Sequence, residues 1–145
     1  MFDWLANPNR FNRITEKIQP YILLIAIISL ISGLYFGLFD SPKDYQQGDA
    51  VRIMYVHVPS AWLASFLYFS LAISCVFYLV WKHPLADLVS SSIAPIGALF
   101  SALTLVTGSL WGKPMWGTWW VCDARLTSML VLFFFYLGYI LLSNA

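Results

Sequence analysis

The stretch IMYVHVPSAWLASFLYFSLAISCVFYLVW, residues 53–81, contains no Asp, Glu, Lys or Arg in 29 residues. An uncharged apolar run of this length reads as a membrane-spanning helix, since a crossing needs about 20 residues (range roughly 17–25). This run exceeds that length, and Pro59 offers a reason. The residue before a proline avoids the helical region, so the membrane helix is expected to begin near Pro59. His57 then sits at or just above the helix end, at headgroup level.

Three more runs flank it: 21–39 (YILLIAIISLISGLYFGLF), 93–110 (IAPIGALFSALTLVTGSL) and 126–142 (LTSMLVLFFFYLGYILL). The expected architecture is therefore an all-α, polytopic integral membrane protein with four transmembrane helices, a single membrane domain over 1–145. Composition agrees. Of the 145 residues 60% are hydrophobic, 18% aromatic and 10% charged, whereas a soluble domain carries about 25% charge. The solvent must be lipid bilayer. A net charge of +1 without a clustered basic face excludes nucleic acid as a partner.

Arg10, Arg13 and Lys17 precede the first run, which at 19 residues is too long for the 7–15-residue core of a signal peptide and lacks a small-residue cleavage site. It reads as a retained first helix, with the N-terminus cytoplasmic by the positive-inside rule. Residues 1–19 could lie in the interface through Phe2, Trp4, Leu5 and Phe11. With four spans, segments 40–52 and 111–125 share one side of the membrane and 82–92 lies on the other. His57 is thus on the side of 111–125, and His83 is not. Gly97, Ser101, Ala102, Thr104 and Gly108 in the third run read as a close-packing face, ahead of a polar pathway. Cys75 and Cys122 are too few for a disulfide framework, and their spacing does not decide whether they pair.

Segment 111–125 is the chemical outlier. Trp111, Trp116, Trp119 and Trp120 are four of the chain's seven tryptophans. An aromatic belt at the membrane interface explains tryptophans in general. A ligand platform also explains their clustering and the embedded Asp123 and Arg125. Gly108, Gly112, Pro114 and Gly117 imply a shaped, non-helical platform. Flat aromatic faces suit a planar π-ligand. Asp123 and Arg125 either pair with each other or leave Arg125 for an anionic group on the ligand. His57 is either a satisfied interfacial residue or an iron ligand, since an imidazole is an ordinary axial ligand of haem. Haem, planar, doubly carboxylated and iron-bearing, would use all of these groups. No nucleophile–base pair or Cys/His cluster stands elsewhere, so the reading is of carriage and not catalysis.

WGKPMWGTWWVCDARLTS, 111–128, resembles the tryptophan-rich WWD signature of haem-handling proteins, and DYQQGDAVRIMYVHVPSAW, 44–62, resembles the segment around the first periplasmic histidine of one such family. The two motifs in this order resemble the haem exporter protein C family, the C subunit of the cytochrome c maturation system, over essentially the whole chain. The resemblance implies b-type haem bound transiently at the outer face of the bacterial inner membrane (or the mitochondrial one in an organelle). His57 would be the metal ligand. Trp111, Trp116, Gly117, Trp119, Trp120 and Asp123 would form the platform, and Arg52 and Arg125 would meet the propionates. It implies partners too: a periplasmic haem chaperone, an ABC-type ATPase and further membrane subunits. Two departures stand out. Cys122 occupies the place of the last tryptophan in the pattern WGxxWxWD, which removes a stacking face worth about 1–3 kcal/mol by analogy with base stacking, or substitutes a thiolate ligand. Family members also have six spans and a second periplasmic histidine, so a chain ending at Ala145 reads as a truncated or split copy. A cytochrome c haem lyase or synthase component, and a purely structural fragment, are the alternative readings.

Overall fold

In hydrocarbon every backbone N–H and C=O must be bonded within its own segment, so each apolar run has to close as a helix. The structure, a computed structural model, describes residues 8–143. Among these it is all-α: α1 (Pro8–Tyr35), α2 (Val51–Trp81), α3 (Pro84–Trp116) and α4 (Ala124–Ser143), with a π-helical turn over Phe36–Asp40 after α1. All four helices are long and apolar enough to cross a membrane.

Antiparallel α2 and α3 form a hairpin and α4 packs mainly against α3, which makes α3 the central helix. In its most apolar window 39% of residues are buried, against 6% in α1 and 11% in α2 and in α4. The small-residue stripe is what permits this. Gly97, Ala98, Ser101, Thr104 and Gly108 are buried, and Tyr136 of α4 lies directly against Gly97, where no Cβ could be placed without meeting the phenol ring. The Tyr136 hydroxyl passes on to α2 and donates to the Ala64 carbonyl at 2.8 Å. One side chain thus joins three helices, packed with Leu71, Ala94 and Ala98.

The helix ends differ from the sequence expectations in four places. Helix α2 does not begin near Pro59: it runs unbroken from Val51, with Pro59 inside. Proline removes one backbone donor, and membrane helices accommodate this through neighbouring side chains and small local adjustments; beside it the Ser60 hydroxyl bonds the Val56 carbonyl at 2.7 Å. His57 therefore lies within α2, a turn and a half past its start. Segment 82–92 is not an extended loop. Only Lys82 and His83 separate α2 from α3, with Lys82 at φ 52° capping α2 through its N–H to the Tyr78 carbonyl and Pro84 opening α3. Segment 111–125 is helical through Trp116, with Gly112 and Pro114 inside α3, and the chain leaves the helix only at Gly117, φ 76°. Residues 8–19 belong to the same rod as the first span, so they form no separate interfacial helix, while Phe2, Trp4 and Leu5 lie outside the described residues.

Helix α1 touches the bundle through its π-helical turn, where Gly37 approaches Tyr55 of α2 closely enough that an added Cβ would sit 3.1 Å from the Tyr55 Cβ. Both cysteines are free. Cys75 is beside Ser90 near the start of α3, while Cys122 lies beyond the far end of α3. A disulfide, which needs its Cα atoms within about 7 Å, cannot join them.

Candidate functional site

The first turns of α2, the last turns of α3 and the start of α4 meet at one end of the bundle around a groove of about 400 Å³, within the usual range for a ligand pocket. Its walls include His57 and Met54 from α2, Thr104, Gly108, Trp111 and Trp116 from α3, and Asp123, Arg125 and Met129 from the loop and α4.

His57 enters from α2 against the small-residue stripe. Its Nδ1 lies 3.0 Å from the Thr107 hydroxyl. Gly108 supplies the clearance for this approach, since a Cβ there would come within 3.0 Å of the His57 Cε1. The other ring nitrogen, Nε2, has no hydrogen-bond partner among the described residues, and it is not a buried orphan either: among those residues that state belongs to Arg52 Nε. The ring itself lines the groove.

The indole rings of Trp111 and Trp116 meet edge to face, centroids 5.0 Å apart at 88°. Trp111 Nε1–H donates to the Gln47 side-chain oxygen at 2.9 Å. An indole is a donor only, so the amide oxygen must face it. Gln47 is held by a compact turn in which the Asp44 carboxylate accepts the N–H groups of Gln46 and Gln47, each at 2.8 Å, and Gly48, at φ 57°, returns its N–H to the Asp44 carbonyl at 2.9 Å. The 41–50 loop is thereby fastened to the aromatic edge of the groove.

Asp123 is the N-cap of α4. Its Oδ1 accepts the Leu126 N–H at 2.9 Å, which satisfies one of the helix's orphan donors. Its Oδ2 accepts from Arg125 Nε at 3.1 Å and Nη2 at 3.0 Å. The Leu126 hydrogen bond, and after it Arg125, hold the Asp123 carboxyl below the usual carboxylate range. The Arg125 guanidinium also lies 5.6 Å from the Trp116 ring centroid, a cation–π distance, so the two acts weighed for Arg125 are not exclusive: it pairs with Asp123 yet remains exposed beside the groove.

The structure separates the other expected site residues from the groove lining. Gly117 closes α3, its N–H on the Lys113 carbonyl at 3.0 Å. Trp119, 55% exposed, and Trp120 stand on the following loop, with the Lys113 ammonium 5.7 Å from the Trp119 ring. Arg52, in the first turn of α2, bonds the Ser41 carbonyl at 3.2 Å and faces the Asp49 carboxylate at 3.8 Å. The Asp49 carboxyl is held below its ordinary range by the hydrogen bond from Lys43, with Arg52 adding to it. Sequence reasoning did not single out Gln47, Thr107, Met54 or Met129. For Gln47 the Asp-x-x-Gln-Gly turn was a readable signal; for Thr107 the signal was only its place beside Gly108 of the packing stripe. Among the described residues no three of His, Cys, Asp and Glu cluster closely enough to hold a metal ion.

The whole chain, residues 1–145, matches the family model described as Heme exporter protein C. It is 51% identical to Heme exporter protein C of Bradyrhizobium diazoefficiens, over 97% of this chain and 53% of that protein. The protein of the same name in Haemophilus influenzae is 50% identical over 100% of this chain and 60% of its own length, and that of Escherichia coli K12 is 48% identical over 97% and 58%. The chain thus spans a little over half the length of these curated relatives. It belongs to the heme exporter protein C family.

Proposed function

We propose that the groove binds haem as cargo and presents it during cytochrome c maturation. The observation that carries this reading is that His57, from one end of α2, and the Trp111–Trp116 pair, from the far end of α3, line one groove with an exposed guanidinium at its rim. These groups fit the ligand. An imidazole whose Nδ1 is engaged by Thr107 leaves Nε2 to bind iron. The indoles offer area to the porphyrin face or edge. Arg125 has further N–H donors beyond the two on Asp123, enough for a propionate. Trp119 and Trp120, exposed on the adjoining loop, serve as the surface that a docking partner meets, and Arg52 steers an anionic ligand from beside the groove. Haem supplies the redox and ligand-exchange chemistry when bound; the protein's part is to hold and orient it, without catalysis of its own.

On this reading the groove faces the periplasm, the N-terminus is cytoplasmic, and the receiver is a periplasmic haem chaperone, with an ABC-type ATPase and other membrane subunits as co-workers. The relatives' name, Heme exporter protein C, supports the cargo. The positive charge in the N-terminal turns of α1, ahead of its apolar run, supports the orientation. Titration of the detergent-solubilised chain with haem should give a Soret band that His57→Ala abolishes or shifts. An unchanged spectrum in that variant would remove His57 from the site and the proposal with it.

A further inference from the structure

We infer that Thr107 is a positioning residue that fixes His57 in the tautomer able to bind iron, an inference that rests on the haem reading above. The hydroxyl of Thr107 has one proton, and the shortest contact open to it is the Leu103 carbonyl at 2.7 Å. A second carbonyl, that of Thr104, is 3.3 Å away. A carbonyl can only accept, so the Thr107 proton is directed into its own helix, and the face turned to His57 is a lone pair. The 3.0 Å contact with His57 Nδ1 is then a bond in which Nδ1–H donates and Thr107 Oγ accepts. A neutral imidazole has one N–H, so Nε2 carries the lone pair, on a ring that lines the groove.

Two consequences follow. The proton on Nδ1 is held by an acceptor anchored to the central helix, which fixes the plane of the ring and raises the basicity of Nε2 toward iron. Gly108, next in sequence, sets how near the ring can come, since a Cβ at that position would stand 3.0 Å from Cε1 and 3.5 Å from Nδ1. The dipeptide Thr107–Gly108 acts as acceptor and floor for one imidazole. A polar residue in a buried stripe that otherwise serves helix packing gains a second duty.

The test uses the full chain in detergent with ferrous haem, and reads both affinity and the iron–histidine stretching band by resonance Raman. Thr107→Val, nearly isosteric, deletes the acceptor, and Thr107→Ser keeps it. The expected result is a 10- to 100-fold loss of affinity in Thr107→Val with the band moved to lower frequency, and both restored in Thr107→Ser. If Thr107→Val does not fold, Thr107→Ala takes its place with the same expectation. An unmoved band in the variant lacking the hydroxyl overturns the inference, whether or not affinity falls, because a structural role alone would weaken binding without altering the iron–nitrogen bond. His57→Ala separates the two levels. If it abolishes the band while Thr107→Val leaves it unmoved, the haem reading stands and this inference falls. If His57→Ala keeps the wild-type band, both fall.

Discussion

Tyr136 shows how a membrane helix bundle uses one side chain where a soluble core would use many. In lipid there is little hydrophobic drive to bring apolar helices together, so close packing and interhelical hydrogen bonds must do it. The phenol ring supplies the first against Gly97 and its hydroxyl supplies the second to Ala64. Gly97→Ala forces the ring or the helices apart, and overpacking of this kind costs about 1–3 kcal/mol. Thermal unfolding in detergent should show that loss, and the loss should shrink when Gly97→Ala is combined with Tyr136→Leu, since contacting residues are not additive. Gly33, with nothing within 4 Å of a Cβ, is the control: Gly33→Ala should leave the midpoint unchanged or raise it. At this scale the sequence was readable where composition is extreme. The tryptophan cluster, His57 and the small-residue stripe all stood out. Gln47 and Thr107 did not, because their importance lies in a partner far along the chain: a glutamine looks the same whether or not an indole is waiting for it.

The helices themselves were legible as apolar runs, but their ends were not. Proline and glycine punctuate helices in water, where a broken backbone bond is taken over by solvent or by a turn. In a membrane the helix has no competing partner and continues through them, which is why α2 passes Pro59 and α3 passes Gly112 and Pro114. Where α3 does stop, the reason is local: Gly117 at φ 76° adopts a left-handed conformation that costs other residues about 1–2 kcal/mol. Gly117→Ala should lower the unfolding midpoint by that margin while leaving helix content by circular dichroism intact. The restart of α4 is held by Asp123, and its charge gives the element a pH dependence. A carboxyl lowered in the folded state contributes stability that is complete above the ordinary aspartate value of about 3.9 and is lost as pH falls through the lower folded value. The midpoint should therefore drop below about pH 4, and the drop should be smaller in Asp123→Asn, which keeps an oxygen to cap Leu126 but has no proton to gain. An equal drop in both would assign the acid sensitivity to other carboxylates.

For the whole molecule, the strongest step available from sequence was parity. Counting spans put residues 40–52 and 111–125 on one side of the membrane, and the fold does gather the Asp44–Gly48 turn, His57 and the tryptophan edge at one end of the bundle. Parity could not say how near they are, because distance depends on how α2 and α3 pack, which the small residues permit without dictating. Nor does it say which end faces out; that rests on Arg10, Arg13 and Lys17 in the N-terminal turns of α1, ahead of its apolar run, and the positive-inside rule. The two cysteines and His83 allow a direct measurement. Cys122 is exposed on the loop beside the groove, whereas Cys75 is half-buried within α2 against Ser90. A membrane-impermeant maleimide added to intact spheroplasts should label the native chain at Cys122 and leave Cys75 unlabelled. In a Cys122→Ser background, His83→Cys at the opposite hairpin should react only after the membrane is opened. The reverse pattern would turn the molecule over, place the groove toward the cytoplasm, and rule out direct transfer of haem from it to a periplasmic chaperone. Labelling of both positions from outside would break the four-span parity itself, and with it the argument that brings His57 and the tryptophans to the same side.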